Sequence, residues 1–276
     1  MEHNDRVQRP ERLKTIIRAV DSGPRRNVEL AELTGASMIT IRRDLAELAE
    51  RGALERTHGG ARAASARGTE LPFALRESED FASKAALARV GRTMARSGQS
   101  VLIDNGTTSL AVARELAGLG LTALALSLHA AAALASRPGN EVIVPGGTIE
   151  HDDLSFTGIG AVETIRAMRF DVAFIGACSA DPAHGLTVAR WPDAQIKRAA
   201  LESSARRVLL ATAAKFSRTS AHRFGSYEDL DTIITTSDAP AAATYAAREA
   251  GVEVITVPLS EISDHGGPDG RRSPLV

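Results

Sequence analysis

Lysine is scarce in this 276-residue chain. Lys14, Lys84, Lys197 and Lys215 are its only four, and arginine fills the other 29 of 33 basic positions. An ammonium is a compact point charge suited to a phosphate or a sugar hydroxyl, so each retained lysine is informative. Lys197 sits on a helix that follows a loop and Lys215 lies just after a strand, so both can deliver that charge to a ligand. An exposed surface lysine is the commoner alternative for each. Asp104-Asn105-Gly106-Thr107-Thr108 points to the same chemistry, because it follows the apolar run 100–104 and opens a helix. Unpaired backbone N–H groups, hydroxyls and the helix dipole converge on an anion at such a turn. The same Gly-Thr-Thr turn also caps helices that bind nothing.

A second cluster of chemically able residues lies near the N-terminus. At about 100° per residue, Met38, Ile41, Leu45 and Leu48 share one face of a helix and read as core. The opposite side presents Ile39, Thr40 and Arg43, with Arg42 on the flank. Arginine pairs bidentately with guanine, threonine bonds a base edge or phosphate, and an outward isoleucine suits a thymine methyl. Alternatively, Arg42 and Arg43 are solvated charges paired with Asp44 or Glu47. Arg56, His58 and Arg62 flank Gly59-Gly60 and can reach phosphates or the minor groove, while the glycines serve a β-turn in either case.

These groups need elements to hold them. Leu13, Ile16, Ile17 and Val20 recur at helical spacing before Asp21-Ser22-Gly23-Pro24 stops the helix. A second helix is expected from the N-cap Asn27 through Leu30 and Leu33 to Gly35. A third runs from Ser37, whose hydroxyl caps it, to about Arg51, before Gly52. Two short strands around His58-Gly59-Gly60 complete a winged helix-turn-helix pattern over residues 8–63. Small and basic residues from Ala61 to Gly68 lack periodicity, and residues 64–80 are expected to be a linker.

Residues 81–258 alternate strand and helix. Apolar runs at 100–104, 123–127, 141–145, 171–177, 207–211, 231–235 and 252–257 read as buried strands. Helical stretches fall near 81–97, 108–117, 129–136, 159–168, 193–205 and 239–250. The expectation is an α/β class protein whose larger domain is a doubly wound, mostly parallel sheet covered by helices. Residues 259–276 are expected to form a mobile tail.

Composition sets the outer limits. The formal charge is −1, from 33 basic and 34 acidic residues, which excludes a polybasic tail protein. Residues 1–67 carry 13 basic and 10 acidic side chains, an excess of three, whereas the remainder holds 20 against 24. Aromatics make up 4%, which disfavours a single-strand binder built on stacking platforms. One cysteine forms no internal disulfide, and the start MEHNDRVQRPER lacks the apolar stretch of a secretory signal. Leu121 to Ala135 falls short of a bilayer span, so a cytoplasmic protein without a membrane partner is expected. The seven histidines are scattered, and no metal site or cofactor is expected.

The stretch from Asn27 to Ala61 carries Ser37, Thr40-Ile41-Arg42-Arg43-Asp44-Leu45, Gly52 and Arg56-Thr57-His58-Gly59-Gly60-Ala61. It resembles the DeoR-type bacterial transcriptional regulators, and the resemblance covers roughly residues 10–258. It implies a winged helix that binds double-stranded operator DNA and a sensor domain similar in fold to ribose-5-phosphate isomerase. Family motifs match Gly106-Thr107-Thr108, Gly146-Gly147, Lys197 and Lys215-Phe216. With Asp104 and Ser127 these are the implied effector contacts. Where the family commonly has Thr-Asn-Ser this chain has Ala125-Leu126-Ser127, and Asn105, Thr212 and Thr236 also depart from the pattern.

The implied function is a repressor of a carbohydrate operon, acting as a homo-oligomer and controlled by a phosphorylated sugar or related metabolite. The modest positive excess of each winged helix suits several copies acting together. The alternative is a sugar-phosphate isomerase-like enzyme with a fused DNA module, for which Asp104, Asp181, His184 and Asp193 are the candidate proton-transfer groups. No dyad spacing marks them, and no catalytic residue is assigned.

Overall fold

The computed structural model describes residues 2–21, 23–50, 53–63 and 72–259. The N-terminal part runs α1 (Glu2–Asp21), β1 (Arg25–Arg26), α2 (Asn27–Thr34), α3 (Met38–Glu50), β2 (Leu54–Thr57) and β3 (Gly60–Ala63). Leu13, Ile16, Ile17 and Val20 of α1 meet Leu30, Ile41, Leu45 and Leu48 in one apolar core. Met38, expected on that face, is only half-buried because it opens the helix.

Three local details matter here. Ser37 Oγ accepts from the Thr40 amide at 3.2 Å, which is the expected cap of α3. The cap of α2 differs from expectation: Arg26 holds the N-cap position and Glu29 reaches back to its amide at 3.0 Å, while Asn27 is already helical. The Asn27 amide instead donates to Gly59 O at 2.8 Å, tying α2 to the wing. The wing also has a third strand, since β3 pairs with β1 as well as with β2. That pairing explains Gly60, where a Cβ would lie 2.1 Å from Arg25 O. Gly59 has φ 84°, the left-handed region that favours glycine.

The chain continues with α4 (Phe73–Ser78), α5 (Phe81–Arg92), β4 (Ser100–Ile103), α6 (Thr107–Glu115), β5 (Thr122–Ala125), α7 (Leu128–Leu134), β6 (Glu141–Ile143), β7 (Thr148–Ile149), β8 (Phe156–Thr157), α8 (Ile159–Ala167) and β9 (Phe170–Ile175). Then come β10 (Ser179–Asp181), β11 (Gly185–Val188), α9 (Trp191–Glu202), β12 (Ser204–Ala211), β13 (His222–Gly225), β14 (Thr232–Thr236), α10 (Ala241–Glu249) and β15 (Glu253–Val257).

All seven expected strands join one parallel sheet of order β15-β14-β12-β9-β4-β5-β6. Alternating side chains enter two cores. Leu102, Leu124, Ala173 and Leu209 face α8, α9 and α10, whereas Val101, Ile103, Phe174 and Val208 face α5, α6 and α7. Burial on both faces is why these strands read as continuous apolar runs. From β4 the chain first winds outward through β5 and β6, then returns to β9 on the other side of β4. The crevice at the carboxyl ends of β4 and β9 is therefore the topological switch point, where open α/β sheets take ligands.

The pattern of buried runs does not reveal the short β7–β8 hairpin or the three-stranded β10-β11-β13 sheet. Of the expected linker, 64–71 lies outside the described residues, while Phe73–Ser78 is the helix α4. Leu75 of α4 is buried in the winged-helix core, Glu77 pairs with Arg114 of α6 at 2.7 Å, and the Phe73 ring stacks on His129 of α7 at 4.3 Å. This short helix thus belongs to both halves of the protein. Of the expected tail, residues 260–276 lie outside the described residues.

Candidate functional site

On the N-terminal part, α3 exposes Ile39 (79% accessible), Arg42 and Arg43, with Thr40 half-buried at its first turn. The carboxylates that were alternative partners for these arginines are engaged elsewhere. Asp44 pairs with Arg12 of α1 at 2.7 Å, and Glu47 pairs with Arg9. Among the described residues Arg42 and Arg43 form no ion pair, so α1 draws the negative charge of α3 inward and leaves its outer face cationic. On the wing, Arg56 and His58 are exposed. Arg62 is exposed too, but it is committed to Glu55 directly across the β2–β3 ladder, with Nε 2.7 Å from Oε2.

The second site is a cavity at the switch point. Asp104 directly follows β4, Gly106 is the N-cap of α6, and Thr107 and Thr108 form its first turn; all four line the cavity with Lys197 and Lys215. Six of the nine expected effector contacts are thereby brought together. Lys197, 3% exposed on α9, is bound by Asp104 Oδ2 and lies 3.7 Å from Asp193 Oδ1. Burial opposes its charge, but the two carboxylates outweigh that and hold its pKa above the usual lysine range. Asp104 Oδ2 also accepts from the Gly176 amide at 2.7 Å, while the buried Oδ1 has no hydrogen-bond partner among the described residues. An unsatisfied buried acceptor in a cavity wall suits a ligand hydroxyl.

Lys197 is offset by Asp104 and Asp193, and the wall also carries Arg76, Lys84, Lys215 and Arg218 beside Glu79 and Asp80, five cations in all against four carboxylates. The cavity therefore combines hydroxyl-reading groups at Asp104, Asn105 and Asp193 with a cationic end where Lys84 faces Arg76 and Lys215, suited to a phosphate. The cationic end adds Arg76, Lys84 and Arg218 to the residues expected from the sequence. The rarity of lysine was the available signal for Lys84, since three of the chain's four lysines line this cavity.

Ser127, Gly146 and Gly147 do not line it, and each has a structural duty or a place elsewhere. Ser127 is buried as the N-cap of α7, accepting from the Ala130 amide at 3.1 Å. Gly146 and Gly147 lead into β7, and a Cβ on Gly147 would lie 2.6 Å from Thr157 O. Asp181 and His184, candidates for proton transfer, form the β10–β11 turn outside the cavity, with Asp181 Oδ1 accepting from the His184 ring at 2.7 Å and from two backbone amides. Asp152 and Asp153, beside His151, bond to the Phe73 amide and to Ser155 and Arg190. Among the described residues no group of histidine, cysteine and carboxylate side chains is arranged to hold a metal. None of the described helices is long and apolar enough to cross a membrane.

Two family models match the chain: a DeoR-like helix-turn-helix domain at residues 12–67 and a DeoR C terminal sensor domain at residues 79–237. The HTH-type transcriptional regulator GlpR of Haloferax volcanii is 33% identical over 89% of this chain and 96% of its own length. The transcriptional repressor AccR of Agrobacterium fabrum is 36% identical over 75% and 81%, and the glycerol-3-phosphate regulon repressor of Escherichia coli 31% identical over 77% and 83%. A solved ribose 5-phosphate isomerase from Methanocaldococcus jannaschii is 17% identical over 50% of this chain and 55% of its own, with a TM-score of 0.36, too distant to bear on function. Both halves of the chain, each matched by its own family model and joined in the same order in full-length relatives, make it a member of the DeoR family of transcriptional regulators.

Proposed function

We propose that this protein is a repressor of a carbohydrate-metabolism operon whose operator affinity is set by a phosphorylated sugar or related metabolite in the switch-point cavity. Residues 8–63 are the DNA-binding unit and 81–258 the sensor, and the protein acts in the cytoplasm as a homo-oligomer. The observation that carries this reading is the mixed lining of the cavity, where Lys84 faces Arg76 and Lys215 and a buried Asp104 oxygen is unsatisfied among the described residues. A phosphate ester with free hydroxyls complements both. Relatives named as repressors of the glycerol-3-phosphate regulon and, putatively, of the aga operon support the carbohydrate assignment. On DNA, Ile39, Thr40 and Arg43 read the major groove, Ser37 and Arg42 contact the backbone beside it, and Arg56, His58 and Arg62 carry wing contacts.

Catalytic turnover is not part of this function. Asp104 and Asp193 are held against Lys197, and among the described residues no histidine lines the cavity. The test is titration of sugar phosphates into the protein bound to its own upstream DNA. Operator binding that one phosphate ester changes, with no conversion of that ester, is expected. Absence of DNA binding, or turnover lost on Asp104→Asn, would overturn the reading.

A further inference from the structure

Lys84 occupies a singular position between the cavity and α4. It is 7% exposed on α5 and lines the cationic end of the cavity. Its ammonium donates to the carbonyl of Arg76 and, at 2.6 Å, to that of Glu79. These are carbonyls of the last turn and C-cap of α4, which lack partners within the helix. The same helix carries Leu75 into the winged-helix core. One side chain therefore holds the end of a helix of the DNA-binding core while its charge faces the ligand space.

The charges around it explain why it is responsive. Lys215 faces it from the turn after β12, Arg76 from α4, and Glu79 and Asp80 from the α4–α5 connection. Burial and the neighbouring Lys215 push its pKa down to about 8. Its charge is held against desolvation and repulsion, and a bound anion relieves both. Lys197 is unlike it, because its charge is already compensated by two carboxylates.

Resting on the sensor reading above, we propose that Lys84 is an effector contact and the transmitter of the signal: a bound phosphate group shares its ammonium with the carbonyls at the end of α4, and the altered hold on α4 is passed through Leu75 to the winged helix. Coupling of this kind requires that the anion bind differently to the two arrangements of α4, and Lys84 supplies that difference.

The test uses the full chain, a fluorescent duplex of its own upstream DNA, and glycerol 3-phosphate, glucose 6-phosphate, fructose 1-phosphate and inorganic phosphate as probes. Calorimetry reads probe binding and anisotropy reads DNA binding with and without saturating probe. In the wild type one probe shifts the DNA Kd by at least about fivefold. In Lys84→Met the probe binds about tenfold more weakly, and at saturation the DNA shift falls below about twofold; Lys84→Arg restores part of both. Wild-type probe affinity falls as pH rises through about 8, where Lys84 loses its proton, and the Met variant lacks that dependence. Hydrogen exchange on the wild type reads α4 without any substitution, and saturating probe alters exchange at the Glu79 amide, which donates to Leu75 O.

A Lys84→Met protein with a wild-type DNA shift overturns the proposal and leaves the sensor reading standing. So does unchanged exchange across Phe73–Glu79 in the probe-bound wild type. A wild type that binds none of the probes overturns the sensor reading, and the proposal with it.

Discussion

Replacing Lys197 with methionine tests the electrostatic centre of the sensor domain. Met matches the length and apolar stem of the lysine, so the cavity wall is retained and the charge is lost. Asp104 and Asp193, 1% and 6% exposed, are then left without their shared cation. Breaking a buried pair from one side costs about 3–5 kcal/mol. Asp104 keeps the Gly176 amide and Asp193 keeps Asn105 Nδ2 at 3.4 Å, which places the loss near the lower end. At about 2–4 °C per kcal/mol for a domain of this size, the sensor transition drops by roughly 6–12 °C.

Calorimetric melting from pH 5 to 9 is the assay. In the wild type the raised Lys197 pKa gives stability that is fully present below the ordinary lysine value of 10.5 and is lost only as pH rises through the folded value, so this pair contributes evenly over the range. Adding Asp104→Asn to Lys197→Met recovers part of the loss, because a neutral amide replaces an uncompensated charge. A deficit below about 1 kcal/mol at pH 7, the range of exposed pairs, would refute the buried pair as drawn.

Arg43→Ala should weaken operator binding by about 1–3 kcal/mol and relax selectivity at one base pair, with probe affinity in the cavity unchanged by calorimetry. Ser127→Ala removes the cap of α7 and should lower stability by about 1 kcal/mol without altering probe binding, which separates its structural duty from the ligand contact implied by family resemblance. Gly60→Ala forces a Cβ to within 2.1 Å of Arg25 O, so the β1–β3 pairing must open. DNA binding should fall sharply in gel shifts, while the melting of the sensor domain stays in place.

The seven strands were legible as apolar runs, most clearly the inner ones, whose carboxyl-terminal halves are buried on both faces, and all seven stand in one sheet with the partly exposed β6 and β15 at its edges. The cap at Ser37 and the exposure of Ile39 followed from helical spacing alone. Where expectation failed, a tertiary contact outweighed a local preference. Asn27 looked like a cap, yet its amide serves Gly59 of the wing and Arg26 takes the position before it. The helix α4 falls within the expected linker 64–80; its six helical residues answer to two environments, Leu75 to the winged-helix core and Phe73 to His129. Arg76 and Arg218 gave no signal among 29 arginines, whereas Lys84 stood out by type but nothing in its local pattern tied it to a ligand turn.

The position of Leu75 also fixes when the DNA-binding domain can finish folding. Its core draws on a residue a dozen positions beyond the last strand of the wing, so a nascent chain that has exposed only residues 1–63 still lacks one of its buried leucines. Burying a leucine contributes about 1.5–3 kcal/mol, a large share of a small domain's stability. The winged helix therefore matures only as α4 leaves the ribosome, just ahead of the sensor sheet, and a head excised at residue 63 begins life with an unfilled core.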